Sequence, residues 1–510
     1  MEPKSISVQN LLVRILVFGF FILLLRFVYV FTVQCDGQSN FCFFSGPGSI
    51  SILGAGGIDG AHYARSDGPP LSSPPSPKSR PLWRTGEWRR IVDFYSAVFH
   101  DLIADGYLSP ASRALCVDTR DGPEVYAMRD IGISDSIGIH KKASLPLVVS
   151  GDSAHHPFDE NTFDFIFTAG GADRAARPGE FADEVRRMLR PEGYLVVHTS
   201  SAKDLYSLNS FQELFNCCRL VRSREIDGPD STPAVREIVM KKDTYIHSHG
   251  GLNPAGDSVN KCPVPAHRRE LVWNAEPLIA EEPLKPWITL KRNIKNIKYL
   301  PSMADINFKR RYVYVDVGAR SYGSSIGSWF KKQYPKQNRT FEMYAIEADR
   351  AFHDEYKAKK GIELLPYAAW VRNETLSFEI NRDPGKKSGA MGRGMGRIQP
   401  VGGGSSAVSG GDVDRIQGFD FASWLKSAVS EKDFVVMKMD IEGTEFDLIP
   451  RLFETGAICL IDELFLECHY NRWQRCCPGE RSSKYQKTYN QCLELFSSMR
   501  ESGVLVHQWW

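Results

Sequence analysis

The chain lacks a charge of one dominant sign. Its 510 residues include 63 Lys and Arg against 61 Asp and Glu, which gives a formal net charge of +2. No basic stripe interleaved with aromatic residues appears, so charge gives no indication of a nucleic-acid partner. The apolar content of 42% and charged content of 24% are ordinary for globular protein. The length allows two to four domains, each with its own core.

The sequence also lacks a Cys-x-x-Cys pair and any histidine cluster with zinc spacing, so it predicts no structural metal. Its 11 cysteines are an odd number. In an oxidising compartment some of them would form disulfides, whose connectivity the sequence alone does not give. The pairings considered are Cys35 with Cys42, and either Cys476 or Cys477 with Cys492.

A long apolar run near the N-terminus predicts a membrane anchor. Ile15–Val33 carries one charge, Arg26, and a helix of that length spans roughly 28 Å, about the thickness of a bilayer core. Basic residues precede the run, and after Arg26 the next one is Arg65, which places the tail (residues 1–14) in the cytosol. A cleaved signal peptide is the alternative, but no clear Ala-x-Ala site follows. We therefore expect a single-pass type II protein of the secretory pathway, in the Golgi lumen.

Composition divides the rest of the chain. Residues 34–82 are rich in Gly, Ser and Pro and predict a flexible stem. Strands and helices alternate over residues 83–242 and again over residues 287–510, and the connector between them, residues 243–286, has little periodicity. Such alternation predicts parallel sheets covered by helices. We expect two tandem Rossmann-like α/β domains, the second interrupted by a Gly/Ser-rich insert (385–411) that is disordered or, alternatively, a substrate lid.

A strand that ends in an acid and turns through glycine occurs in both predicted domains. In the second, Tyr312-Val-Tyr-Val-Asp316-Val-Gly318 is followed about 25 residues later by Tyr344-Ala-Ile-Glu347. Strand, Asp-x-Gly turn, helix, strand and acid form the pattern by which a Rossmann-like sheet holds a nucleoside. The first domain has a weaker copy of this pattern, Ala114-Leu-Cys-Val-Asp118-Thr-Arg-Asp-Gly122.

Residues 110–200 carry a family resemblance. Leu115-Cys-Val-Asp118, the segment from His155 to Phe167, and Glu184-Val-Arg-Arg-Met-Leu-Arg-Pro-Glu-Gly193 resemble type-11 class I methyltransferases, which use S-adenosylmethionine. Arg120 replaces the glycine that would let the cofactor approach the backbone. No acid stands near His140, where the family has one, although Asp152 could still meet the adenine. We therefore expect a degenerate domain with a structural role.

Residues 312–468 resemble the FkbM-like methyltransferases, within what looks like a plant family of membrane-anchored methyltransferase-like proteins. The most specific string is Met437-Lys438-Met-Asp440-Ile-Glu442-Gly-Thr-Glu445, followed by Leu466-Glu467 on the next strand. The resemblance implies a second domain that binds S-adenosylmethionine.

The resemblance also implies roles for the residues of this second site. Gly318 and Gly323 would let the turn pass close to the cofactor, and Glu347 is spaced to accept both ribose hydroxyls. Asp316 would order the turn or receive the amino group of the cofactor. Arg320 stands where the family usually has an Asn, so this chain departs from the family at the amino-acid end of the site.

The candidate catalytic bases are Asp440, Glu442 and His469, with Asp440 preferred. His469 fits a structural role equally well, and Lys438 is expected to pair with a carboxylate. The predicted reaction is O-methylation of a glycan, a polysaccharide or a small-molecule acceptor. The alternative is a non-catalytic scaffold that keeps the methyltransferase fold and binds other lumenal enzymes.

Overall fold

The computed structural model describes residues 85–151, 155–229, 233–243, 262–382, 393–399, 412–474 and 479–509, all within one unit that spans residues 77–510. The predicted tail, signal anchor and stem lie outside the described residues, as do Asp152 and the cysteines at positions 35, 42, 476 and 477. Among the residues that are described, no helix is long and apolar enough to cross a membrane.

The first domain is built on a seven-stranded sheet with the strand order β3-β2-β1-β4-β5-β7-β6. Its strands are β1 Ala114–Val117, β2 Ser136–His140, β3 Val148–Ser150, β4 Phe163–Ala169, β5 Leu189–Thr199, β6 Cys218–Ile226 and β7 Val235–Lys242. The first five run parallel, and β7 is antiparallel to both of its neighbours. The alternation expected for residues 83–242 is therefore present, with a reversed strand near one edge.

Helices cover this sheet because their apolar residues recur at helical spacing. They are α1 Gly86–Ala104, α2 Pro123–Asp130, α3 Gly171–Arg174, α4 Pro178–Met188 and α5 Leu205–Leu214. The first begins where the Thr85 side chain accepts a hydrogen bond from the Trp88 amide, a standard N-cap. Its buried face includes Val92, Phe99 and Leu102, which pack on the sheet.

The second domain contains a six-stranded, entirely parallel sheet with the order β10-β9-β8-β15-β16-β17. Its strands are β8 Tyr312–Val317, β9 Glu342–Ile346, β10 Ile362–Leu365, β15 Phe434–Met439, β16 Glu463–Leu466 and β17 Leu505–Gln508. This is the doubly wound order of dinucleotide-binding folds, in which ligands bind at the carboxyl edge where the strand order reverses. That point lies between β8 and β15.

Short helices accompany this sheet. They are α6 Ala266–Trp273, α7 Pro286–Asn293, α8 Leu300–Met303, α9 Lys331–Gln333, α10 His353–Lys357, α11 Phe421–Ala428, α12 Glu445–Glu454 and α13 Tyr489–Glu501, with 3-10 turns at Ile294–Asn296, Arg350–Phe352 and Ala457–Leu460 and a π-helical turn at Ile326–Phe330. The predicted connector is more ordered than its composition suggested, because α6 lies within it and Cys262 forms a disulfide with Cys459.

A third sheet, absent from the sequence analysis, has the order β11-β14-β12-β13. Its strands are β11 Ala368–Trp370, β12 Glu374–Arg382, β13 Arg393–Gln399 and β14 Asp412–Asp420. Strand β13 lies inside the Gly/Ser-rich insert and pairs antiparallel with β12. Disorder was therefore the wrong expectation for residues 393–399.

The second disulfide corrects a predicted pairing. Cys492 bonds to Cys468, and not to either cysteine of the adjacent pair at 476 and 477. The reason is position in the fold, since Cys468 directly follows β16 while α13 carries Cys492 onto the same core.

A residue of the second domain completes the core of the first. Phe308 precedes the second sheet, yet its ring is buried in the core of the first domain, 5.0 Å from the ring of Phe211. The Arg310 guanidinium lies 2.8 Å from the Asp183 carboxylate, and Arg339 donates to the Asp173 carbonyl at 3.0 Å. Apolar and charged contacts therefore both join the two domains.

Candidate functional site

The turn after β8 brings two strand ends into contact. Gly318 has φ +79, and a Cβ at this position would lie 1.9 Å from the carbonyl oxygen of Asp440. Only glycine fits such an approach. Gly323 differs, because a Cβ there would meet nothing within 4 Å and the residue does not line the neighbouring cleft. The structure thus gives a steric reason for glycine at position 318 but none at position 323.

Asp316 ends β8 beneath this turn and is fully buried. Its carboxylate accepts a hydrogen bond from the Ser325 hydroxyl and lies 3.8 Å from the Lys438 ammonium. Burial raises the pKa of Asp316, although Lys438 and Ser325 oppose that shift. Asp316 does not line the cleft, and its bond with Ser325 ties it to the turn that follows β8.

Glu347 follows β9 and faces the cleft with 7% of its surface exposed. One carboxylate oxygen accepts the Arg320 amide at 2.5 Å and the other accepts the Asp349 amide at 2.6 Å. Burial raises the pKa of Glu347 to about 7, and these two amides oppose the increase. Arg320 has φ +49, a left-handed conformation that Asn adopts more readily than Arg.

The cleft at this edge encloses about 700 Å³, counting the solvent at its mouth. One wall consists of Gly318, Glu347, Asp440 and Glu442, and the small third sheet supplies the opposite wall. The lining residues that sequence reasoning missed include Phe352, Tyr367, Phe378, Arg397 and Ile398. The alternation of Leu376, Phe378 and Ile380 with polar residues is the strand signal that could have revealed part of this wall.

The lysine of the Met437-Lys438-Met motif lies between two carboxylates. Lys438 Nζ is 3.8 Å from Asp316 Oδ1 and 3.6 Å from Asp440 Oδ2, so the predicted pairing is confirmed. The other oxygen of Asp440, Oδ1, is buried and has no hydrogen-bond partner among the described residues. Asp440 therefore presents an acceptor atom at the boundary of the cleft.

The remaining two candidate bases are each held by neighbours. The Glu442 carboxylate accepts hydrogen bonds from Lys484, at 2.6 Å, and from the Tyr485 hydroxyl. Burial raises the pKa of Glu442, but His469 and Lys484 outweigh burial and lower it. Burial lowers the pKa of His469, whereas Glu445, Glu442 and Asp440 together raise it to about 10. At neutral pH the lowered pKa keeps Glu442 ionised, and the raised pKa keeps the His469 ring protonated.

A second cavity lies on the other side of this cluster and encloses about 1180 Å³, again counting solvent. Its lining includes Glu467, His469, Tyr470, Tyr485 and Tyr489, together with Lys291 and Arg472. Burial and the nearby Asp440 raise the pKa of Glu467 to about 7. The carboxylates and imidazole after β15 and β16 thus stand between two cavities.

The corresponding edge of the first domain is arranged differently. A cavity of about 790 Å³ lies there, but Arg174 lies across Asp118, with its Nη2 2.8 Å and its Nε 2.9 Å from the carboxylate. His140 ends β2, the strand after which an acid was expected, and its Nε2 lies 3.8 Å from Asp118. The acid of this turn is engaged by two basic side chains within its own domain.

Two family models match parts of this chain. Residues 134–197 match a methyltransferase domain, and residues 273–377 and 406–510 match a domain of unknown function, DUF7870. The second match covers the six-stranded sheet and leaves out β13. No curated protein sequence matches the chain.

Solved structures similar to this chain include several methyltransferases. A SAM-dependent methyltransferase from Aquifex aeolicus is 17% identical, with 31% of this chain and 95% of that chain covered and a TM-score of 0.25. The complex of the Trm112 methyltransferase activator with a methyltransferase from Haloferax volcanii is 15% identical, with 31% of this chain and 94% of that chain covered and a TM-score of 0.26. The PH0226 protein from Pyrococcus horikoshii OT3 is 13% identical, with 31% of this chain and 93% of that chain covered and a TM-score of 0.26. Similarity at this level carries no argument about activity.

The match to the methyltransferase domain indicates a methyltransferase fold in the N-terminal part and S-adenosylmethionine as the cofactor. The matched segment begins at residue 134, after the Asp118 turn, so it does not include the first cofactor motif. The Glu347 carboxylate, which lines the cleft, fits a nucleoside cofactor, whereas the Asp118 turn with Arg174 across it does not.

Proposed function

We propose that this protein is an S-adenosylmethionine-dependent methyltransferase whose cofactor binds in the cleft of the second domain. The observation that carries the proposal is the Glu347 carboxylate, held by two backbone amides and turned into a cleft at the point where the strand order reverses. In the first domain the strand at the same place in the sheet, β2, ends in His140, which cannot accept two hydroxyl protons.

The residues of the cleft divide the work of methyl transfer. The cofactor supplies an activated methyl group. Glu347 would accept hydrogen bonds from the two ribose hydroxyls, and Gly318 leaves room for the turn to approach. Methyl transfer is an in-line displacement, so orientation within the cleft supplies much of the rate. Asp440, whose Oδ1 has no hydrogen-bond partner among the described residues, would take the proton of a hydroxyl acceptor.

We propose a secretory glycan or polysaccharide hydroxyl as the acceptor, entering through the second cavity. Tyrosine rings and the cations Lys291 and Arg472 line that cavity, and such a surface suits a polar acceptor of several rings. Two Asn-x-Thr sequences, the acceptor pattern for N-glycosylation, place exposed asparagines at Asn338 and Asn373. The two disulfides also suit an oxidising compartment. The apolar run at 15–33 supports a single-pass anchor and a Golgi location.

A scaffold function has one observation in its favour. The ion pair between Arg174 and Asp118 closes the first cofactor motif, so the first domain serves as a structural partner of the second. This observation concerns the first domain alone and leaves the second available for catalysis.

Calorimetric titration of the full chain with S-adenosylmethionine tests the proposal. We expect one binding site per chain, lost in Glu347→Ala and retained in Asp118→Asn, the matched change in the first domain. Absence of binding by the wild-type chain would refute the enzyme and favour the scaffold. If Asp118→Asn lost binding and Glu347→Ala retained it, the cofactor site would be assigned to the first domain.

A further inference from the structure

Two buried histidines in the second domain have different surroundings. His507 is fully buried, and both of its ring nitrogens lie within hydrogen-bond distance of carboxylates, at 2.7 Å from Glu276 and 2.9 Å from Glu463. His469 is 8% exposed, and among the described residues it has one such bond, from Nδ1 to Glu445 at 2.6 Å. The second domain therefore contains one histidine with carboxylate partners at both ring nitrogens, His507, and one with such a partner at a single nitrogen, His469.

The open nitrogen of His469 faces three carboxylates that lie just too far away for hydrogen bonds. Nε2 is 3.7 Å from Asp440 Oδ1, 3.9 Å from Glu442 Oε2 and 3.8 Å from Glu467 Oε1. Ligand atoms of Asp440, Glu442 and His469 all lie within 4.8 Å of one another. Octahedral ligands at about 2.1 Å from a metal ion are separated by roughly 3 Å, so small side-chain movements would close these gaps on a cation.

The hydrogen bond between His469 Nδ1 and Glu445 is of the kind that metal-binding histidines make with their second ring nitrogen. Such histidines donate their second N–H to a carboxylate, which fixes the tautomer and the ring orientation. Glu445 supplies that carboxylate from within the first turn of α12, and it is fully buried. This contact leaves Nε2 as the atom that points into the cluster.

We infer that Asp440, Glu442 and His469 form a binding site for one divalent cation, with Glu467 as an adjacent carboxylate and Glu445 as a positioning residue. Mn²⁺ is the ion that fits best, because carboxylates favour Mg²⁺, Ca²⁺ and Mn²⁺ while imidazole favours transition metals. The ligands follow two different strands, β15 and β16, so local sequence spacing could not reveal them. The site stands on this geometry alone and holds whether or not the protein transfers methyl groups.

Lys438 and Lys484 are the cations already present. Lys438 lies 3.6 Å from Asp440 but is shared with Asp316, and Lys484 binds Glu442 at 2.6 Å. Four carboxylates, those of Asp440, Glu442, Glu445 and Glu467, surround one imidazole.

The test is direct binding of Mn²⁺ to the full chain after removal of metals with a chelator. Free Mn²⁺ is counted from its electron paramagnetic resonance signal as protein is titrated. We expect one Mn²⁺ per chain, with affinity about 10- to 100-fold weaker in Glu445→Gln and no detectable binding in His469→Gln or Asp440→Asn.

His507→Gln is the matched control, since it changes an equally buried, carboxylate-bonded histidine in the same domain and should keep the affinity of the wild type. Circular dichroism of each variant shows whether it is folded. No binding by the wild-type chain at millimolar Mn²⁺ would overturn the inference without any mutant. Equal binding by the folded wild type, His469→Gln and Asp440→Asn would overturn it as well, and S-adenosylmethionine titration of the same samples reports separately on the cleft at Glu347.

Discussion

The affinity for S-adenosylmethionine should depend on pH through Glu347. Burial raises the pKa of this carboxyl group to about 7. A nucleoside needs the ionised form, because a protonated carboxyl group offers fewer acceptors to two ribose hydroxyls. Binding must therefore remove a proton whenever the pH lies below that pKa, and this cost weakens binding under acidic conditions.

The size of the effect follows from the pKa. With a pKa of about 7, roughly one chain in eleven carries ionised Glu347 at pH 6, and about ten in eleven do at pH 8. The dissociation constant should therefore be about tenfold larger at pH 6 than at pH 8, a difference of about 1.4 kcal/mol. The sign is fixed, since a raised carboxyl pKa can only penalise a ligand that requires the charge.

Calorimetry of the full chain between pH 5.5 and pH 8.5 measures this profile, with Glu347→Gln as the control. The ligand's own amino group titrates near ~7.7–8.0 and contributes equally to both proteins. The difference between the two profiles isolates Glu347. Parallel profiles for wild type and Glu347→Gln would refute the assignment of this residue to the cofactor site.

Three further predictions concern the frame of the site. Gly318→Ala should abolish cofactor binding, because the added Cβ would clash with Asp440. Gly323→Ala should leave the affinity measured by calorimetry within about twofold, because a Cβ there meets nothing within 4 Å. Equal effects of the two substitutions would contradict the steric role of Gly318. Cys492→Ser opens a disulfide spanning 24 residues and should lower the free energy of unfolding in urea by about 3 kcal/mol, and a non-reduced peptide map joining Cys492 to any partner other than Cys468 would disprove the pairing. Phe308→Ala should lower the free energy of unfolding in the same urea assay by about 3–5 kcal/mol. A decrease below about 1 kcal/mol would contradict the place of Phe308 in the core of the first domain.

Strand positions were predictable from the sequence where apolar runs are short and bounded. The apolar run at residues 434–439 forms strand β15, and Glu347 follows β9, as the spacing of the acid from Asp316 predicted. Both predictions depend on local patterns, a buried run and an acid at its end, which the chain displays without reference to the fold.

The rest of the site depends on contacts between distant segments. The cleft wall that contains Phe378 forms only when β12 pairs with β14 across the Gly/Ser-rich insert, and no local sequence pattern predicts that pairing. Arg174 reaches Asp118 from 56 positions away, so the closure of the first motif could not be inferred from Arg120. The surroundings of His469 were hidden for the same reason, because its neighbours follow two different strands.

The position of Phe308 gives the first domain a function that requires no ligand. Its ring completes a core that belongs to the other sheet, so separating the domains would expose aromatic surface on both fragments. The second domain is therefore not a module that can be excised and transplanted intact. A first domain without a working cofactor motif would still be needed, because the second domain packs part of its interior against it.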